Sequence, residues 1–250
     1  MARLVFYLIC MITPFIVFTQ TNYIDHDGLK QGEWKLYFPY TNDSILSEEG
    51  AFENNLENGM WVKYHENGQV RELIHYQMGQ LDGIRVVINK KGKLLEQESF
   101  VQGQYNGKQI YFYDNGKISS EKFYNSGKKH GLFMKYYRNG KNQEIINYIN
   151  DVKNGIAKWY FDTGDLSIEY TYNNGAITDT VFSYYKGGQV KSKSTYHNNE
   201  LNGDKITFYP SGLMKEKGQY SNGVKIGQWC IYDSLGKKKD CVKYKNIKNE

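Results

Sequence analysis

The chain has little of what builds helices, metal centres or membrane spans. Ala-rich helical stretches are absent, and three prolines stand against 25 glycines, 23 tyrosines and 12 phenylalanines, a mixture that favours strands and tight turns. After Phe18 no segment approaches the run of about 20 apolar residues that a membrane-spanning helix needs. The three cysteines and the five histidines, His26, His65, His75, His130 and His197, include no Cys-x-x-Cys and no His-x-x-x-His pair, so none is spaced to share a metal. The Gly-Lys pairs and Gly187-Gly188 sit in turns, and no strand-to-helix glycine loop of the kind that cradles phosphate occurs. Charge of one sign is not gathered in a block, since 32 Lys and Arg are interspersed with 27 Asp and Glu. That distribution argues against a nucleic-acid partner.

What is present is a globular composition, 40% hydrophobic and 24% charged, preceded by a different kind of segment. Arg3 is followed by the apolar run Leu4 to Phe18 and then by polar Thr19, Gln20, Thr21 and Asn22. This reads as a signal peptide over residues 1–20, cut near Thr19 to Thr21, which makes the mature chain secreted, periplasmic or attached to the cell envelope. Cys10 follows Tyr7, Leu8 and Ile9, without the small residue that lipoprotein processing wants.

Self-similarity organises the rest. Gly59, Gly83, Gly107, Gly131, Gly155, Gly203 and Gly227 fall on one ladder with a step of 24, broken at Asp179. Gly68 to Gly236 form a second ladder and Gly79, Gly103, Gly127, Gly175 and Gly223 a third. Aromatic ladders run beside them: Tyr64, Phe112, Tyr136, Tyr160, Tyr184, Phe208 and Tyr232 on one, Tyr76 through Tyr244 on the other. Gly32, Trp34 and Tyr37 begin an earlier unit if about three residues are inserted between Pro39 and Ser47. Each unit reads strand, turn, strand, turn. The expected fold is all-β, an elongated, twisted antiparallel sheet of about nine 24-residue hairpins, roughly 85 Å long at about 4.8 Å per strand. The organisation expected is a lead-in at 21–31, the array at 32–245 and a polar tail at 246–250. A three-residue turn ending in Gly would set Tyr64 opposite Val70 and Trp61 opposite Leu73, with Tyr64, Val70 and Tyr76 on one packing face.

These residues resemble the MORN-type repeat in its bacterial variant form, Gly-x-Trp-x-x-Tyr-Tyr-x-x-Gly-Lys followed by Glu, Tyr and Gly. Gly131, Phe133, Tyr136, Tyr137, Asn139, Gly140, Lys141, Glu144 and Tyr148 carry the likeness most fully, and Gly227, Trp229, Tyr232, Gly236 and Lys237 repeat it. Arg85, Gln109 and Lys205 stand where the pattern has Trp, which marks their units as loosely packed or facing a partner. The resemblance implies a repeat scaffold, and similar proteins often carry an antitoxin label or associate with membranes.

No catalytic constellation is expected. Glu72, Glu96, Glu144 and Glu216 recur at one repeat position, the spacing of a structural ladder rather than of a carboxylate pair in two distinct environments. No cofactor or metal is implied. Cys230 and Cys241 flank the last turn; they meet across the hairpin if the loop has four residues and diverge if it has three. The candidate binding surface is Tyr113, Tyr137, Phe161, Tyr185 and Tyr209, each one residue after the Tyr64-type ladder and so expected on the other side, interleaved with Lys63, Lys135, Lys158 and Lys186. Such a row suits an extended partner, a protein first, with peripheral lipid or cell wall as the alternative.

Overall fold

The structure, a computed structural model, describes residues 21–245. The signal peptide and the polar tail expected from the sequence lie outside the described residues. The 22 strands form one open antiparallel sheet in which each strand pairs with its neighbours in sequence. Three strand lines are split before a repeat glycine, as in Gln104–Tyr105 and Gly107–Phe112. With each of these taken as one, nine hairpins run from Lys30–Tyr37 paired with Leu46–Glu53 to Val224–Tyr232 paired with Lys238–Tyr244.

The turn inside each hairpin is the expected one: Gly68 N–H donates to the His65 carbonyl and His65 N–H to that of Gln69, leaving Tyr64 opposite Val70. Beyond it the register differs. Lys63 pairs with Glu72 and Trp61 with Ile74, not with Leu73, because Arg71 is an extra residue in a β-bulge. A one-residue bulge exchanges the faces of everything after it. The Tyr64 ladder therefore does not share a face with Tyr76; Trp61, Lys63, Glu72, Ile74 and Tyr76 form one face, and Met60, Val62, Tyr64 and Leu73 the other. The shift recurs in every hairpin, including the first, whose longer loop closes at Phe38 N–H to the Ile45 carbonyl and holds the three-residue insertion.

A second irregularity joins hairpin to hairpin. Glu49 pairs with Val62 but Ala51 with Asn58, and the strand gains its extra length at Gly59, whose φ is +81°. The leading glycine thus serves a bulge between hairpins, where a left-handed residue is required. Asp179, the exception in the ladder, adopts φ +68° there. Asp tolerates that region better than most residues do. The hairpins are then linked by two-residue turns such as Met78-Gly79, with φ +48° and +78°, the primed geometry that matches strand twist.

The lead-in adds an edge strand, Tyr23–Ile24 against Lys30 and Gln31. The Asn22 side chain imitates a further backbone unit by binding both the N–H and the carbonyl of Lys35, which closes part of the exposed edge.

Buried hydrophobic residues lie almost entirely on the face of Trp61, here called the ring face: Trp34, Phe52, Trp61, Ile74, Phe100, Ile146, Ala157, Val181 and Trp229. Trp61 lies flat over Gly50 and Trp229 over Gly218, where a Cβ would enter the indole ring. Gly50→Ala is expected to destabilise the protein by about 3 kcal/mol, the upper range for overpacking. Urea unfolding of a double-mutant cycle checks this: Trp61→Ala combined with Gly50→Ala should lose much less than the sum of the two single changes.

Candidate functional site

The ring face is built by repetition. From Phe100 the rings of Tyr105, Tyr124, Phe133 and Tyr148 follow one another with centroids 4.8, 5.2, 5.3 and 4.8 Å apart. Lysines near the start of a hairpin's first strand lie across such rings. Lys30 is 4.8 Å from the Trp34 centroid, Lys153 is 5.0 Å from Tyr172 and Lys225 is 3.9 Å from Trp229. These are cation–π distances, and the stems cover ring surface that a single-layer sheet would leave wet.

At Gln109 and Arg85, polar contacts take over from Trp, against the expectation of loose units there. Trp61 donates its indole N–H to the Ala51 carbonyl and Trp229 to that of Gln219. Gln109, fully buried, donates its amide to the Ser99 carbonyl at the equivalent place and accepts from Ser99 N–H. Arg85 reaches Glu96 at 3.1 Å and Glu98 at 2.7 Å and also binds Glu72. Glu98, only 3% exposed, further accepts the hydroxyls of Tyr105 and Tyr111. The charge of that carboxylate is therefore met on several sides, as a buried ion requires. Burial works against the Arg85 charge, but Glu98 and Glu72 more than offset it and raise its pKa. The repeated glutamates are structural, as Glu144 to Lys135 at 2.6 Å and Glu216 to Lys225 at 3.6 Å also show.

The predicted row sits elsewhere. Tyr113, Tyr137, Phe161, Tyr185 and Tyr209 are the first residues of the hairpin turns, all half-buried. Four of the hydroxyls donate to a backbone carbonyl of the next hairpin: Tyr113 to Tyr136, Tyr137 to Tyr160, Tyr185 to Phe208 and Tyr209 to Tyr232, at 2.6 to 2.9 Å. His65 makes the equivalent contact with the Ile88 carbonyl. The row stitches neighbouring turns together. Its period of 24 in phase with the turns was the sequence signal for that role.

A feature the sequence reading passed over is a groove of about 250 Å³ on the ring face, lined by Tyr124, Phe133, Ile146 and Tyr148 with Lys122, Lys129, Lys135 and Glu144. Phe133 holds the Trp position here. Lys122 occupies the place that Ile74 and Ile146 take in other hairpins.

On the opposite face Cys230 and Cys241 form a disulfide with Cα atoms 4.1 Å apart. The turn has three residues, yet the bulge at Lys239 restores a direct pairing of the two cysteines.

Five stretches, residues 57–78, 105–126, 129–150, 153–174 and 180–198, match the family described as MORN repeat variant. Five of the nine hairpins are thus of this family's repeat type. The first, third, eighth and ninth hairpins, those of Trp34, Arg85, Lys205 and Trp229, are not among the matched stretches. No curated protein matches the chain. Among the described residues no group of three or more His, Cys, Asp or Glu is placed to hold a metal ion, and no helix is long and apolar enough to cross a membrane.

Two outcomes follow from this geometry. Burial raises the pKa values of Tyr76, Tyr105, Tyr111, Tyr124, Tyr170 and Tyr196 above the ordinary 10.0, and the bond to Glu49 pushes Tyr64 up to about 12. The unfolded chain gives up these protons first as pH rises, so stability is intact below the ordinary value and falls above it. Melting followed by circular dichroism should show a flat melting temperature through neutral pH and a steep decline above pH 10.0. Replacing both Cys230 and Cys241 by Ser should cost about 2 to 3 kcal/mol, as expected for closing a loop of this size. The loss should appear first as faster amide exchange in the last hairpin.

Proposed function

We propose that this MORN-variant array is a non-catalytic scaffold that binds a protein partner at the cell envelope or outside the cell. The observation that carries this reading is the uncovered ring face: every described strand belongs to one sheet, so no second layer lies over its half-buried rings and lysines. Rings held rigid by their neighbours and flanked by lysines supply contact area at little entropic cost, the composition of a recognition surface rather than of a sealed core. The apolar leader at residues 1–20 supports export, and the Cys230–Cys241 disulfide supports an oxidising compartment. Both favour an extracytoplasmic binder over a cytosolic antitoxin. The turn row of Tyr113, Tyr137, Phe161, Tyr185 and Tyr209 borders this face and would form its rim.

The test is affinity capture with the full chain on envelope and secreted fractions, followed by rebinding of any captured protein in pure form. Lys153→Ser with Tyr172→Ser should abolish rebinding. Tyr113→Phe with Tyr137→Phe, which keeps the rim rings and removes only their hydroxyls, should leave it within a few fold. Retention on cell-wall material or lipid alone, with no protein that rebinds, would replace this reading with that of a peripheral surface binder.

A further inference from the structure

We propose that the groove at Phe133 receives carboxylate side chains of an acidic, extended segment of the partner protein, an assignment that rests on the protein-binding reading above. Three ammonium groups and a single carboxylate line the recess. Glu144 is engaged by Lys135 at 2.6 Å, and neither Lys122 nor Lys129 forms an ion pair among the described residues; the adjacent Glu121 points to the other face of the sheet, where Lys108 meets it at 3.0 Å. The groove lining therefore carries an excess of positive charge.

Lys122 makes the case specific. It stands where the fold places buried Ile74, Glu98, Ile146 and Ser194 in other hairpins, its stem on the ring face and its ammonium 4.5 Å from the Tyr111 centroid. Burial, then Lys135 and Lys129, hold its pKa below the ordinary lysine range. A half-buried cation beside two others costs stability, and an incoming carboxylate is the chemistry that relieves it.

The shape selects among anionic partners. The three lysines line a concave recess rather than protruding turns, a shape that a narrow chain matches better than a flat bilayer surface does. Lys129 lies over the rings of Phe133 and Tyr148 at 5.8 and 5.2 Å, which competes with the stacking of a sugar on them. A flexible acidic side chain on an extended peptide enters such a recess, with Phe133 and Ile146 as apolar walls.

The experiment titrates fluorescein-labelled oligoglutamate into the full chain at low salt and follows anisotropy. Lys122→Met should weaken binding about tenfold or more, the worth of one charge-assisted hydrogen bond, while its melting temperature stays level or rises. Lys239→Met, the same charge change on the last strand, should leave binding within about twofold, as expected for a screened exposed charge. Equal losses in the two variants, or no binding of oligoglutamate, would overturn the assignment. If the captured partner still rebinds through Lys153 and Tyr172 in that case, the scaffold reading stands and only the ligand class fails. Binding to phosphatidylglycerol vesicles or to polygalacturonate that depends on Lys122 would likewise overturn it in favour of a lipid or glycan anion.

Discussion

A sheet one layer thick has no opposing layer to bury against, and every other feature of this molecule answers that constraint. Each hairpin lays a side chain from its first strand across the last strand of the hairpin before it. Trp61 over Gly50 and Trp229 over Gly218 are the tightest instances. The contact joins burial of a large ring to a hydrogen bond from the indole N–H to a backbone carbonyl, so one residue supplies apolar area and satisfies a polar group. An isolated hairpin has no neighbour to receive this contact and is marginal in water. Stability is therefore a property of adjacency along the array.

The polar substitutions show what this contact can and cannot give up. Gln109 keeps the hydrogen bond and forgoes the ring; two residues later Tyr111 supplies a ring on the same face, its hydroxyl drawn to Glu98. Arg85 forgoes both and instead organises Glu72, Glu96 and Glu98. Two successive hairpins thus trade apolar packing for a connected polar network. Such a network is tolerable only because its members are satisfied. It also distinguishes this stretch from all others, which fixes which hairpin stacks on which in a chain whose repeats otherwise resemble one another.

The count of hairpins, the turn positions and the insertion in the first loop were legible because they rest on glycine and aromatic spacing, and spacing survives in a bare string of letters. The faces were not legible, for a definite reason. The bulge at Arg71 and its equivalents is a single surplus residue with no fixed identity: Ser47, Arg71, Ser119 and Lys239 all occupy it. Period-two alternation carried across such a site inverts every later assignment, which is why Tyr64 was grouped with Tyr76. The same surplus residue brings Cys230 opposite Cys241 despite a three-residue turn. The turn rings posed a different difficulty. Their hydroxyls serve carbonyls 23 residues away, a contact that the ladder implied in phase but that only the distance between neighbouring turns could establish.

The groove arises where these rules are relaxed together. Phe133 takes the Trp position, and Lys122 replaces the aliphatic residue beneath the neighbouring contact. A void alone would be a packing defect, and it would collapse or stay dry; a half-buried lysine alone would turn outward along its stem. Here the ammonium is held over Tyr111 while Lys129 and Lys135 line the recess beside it, so the charge stays on the ring face. Repeats elsewhere in the array show that the fold accepts Ile at this position. The lysine is thus a departure from what stacking requires, on the one face that the sheet leaves uncovered, and its cost is offset when a negative group occupies the recess.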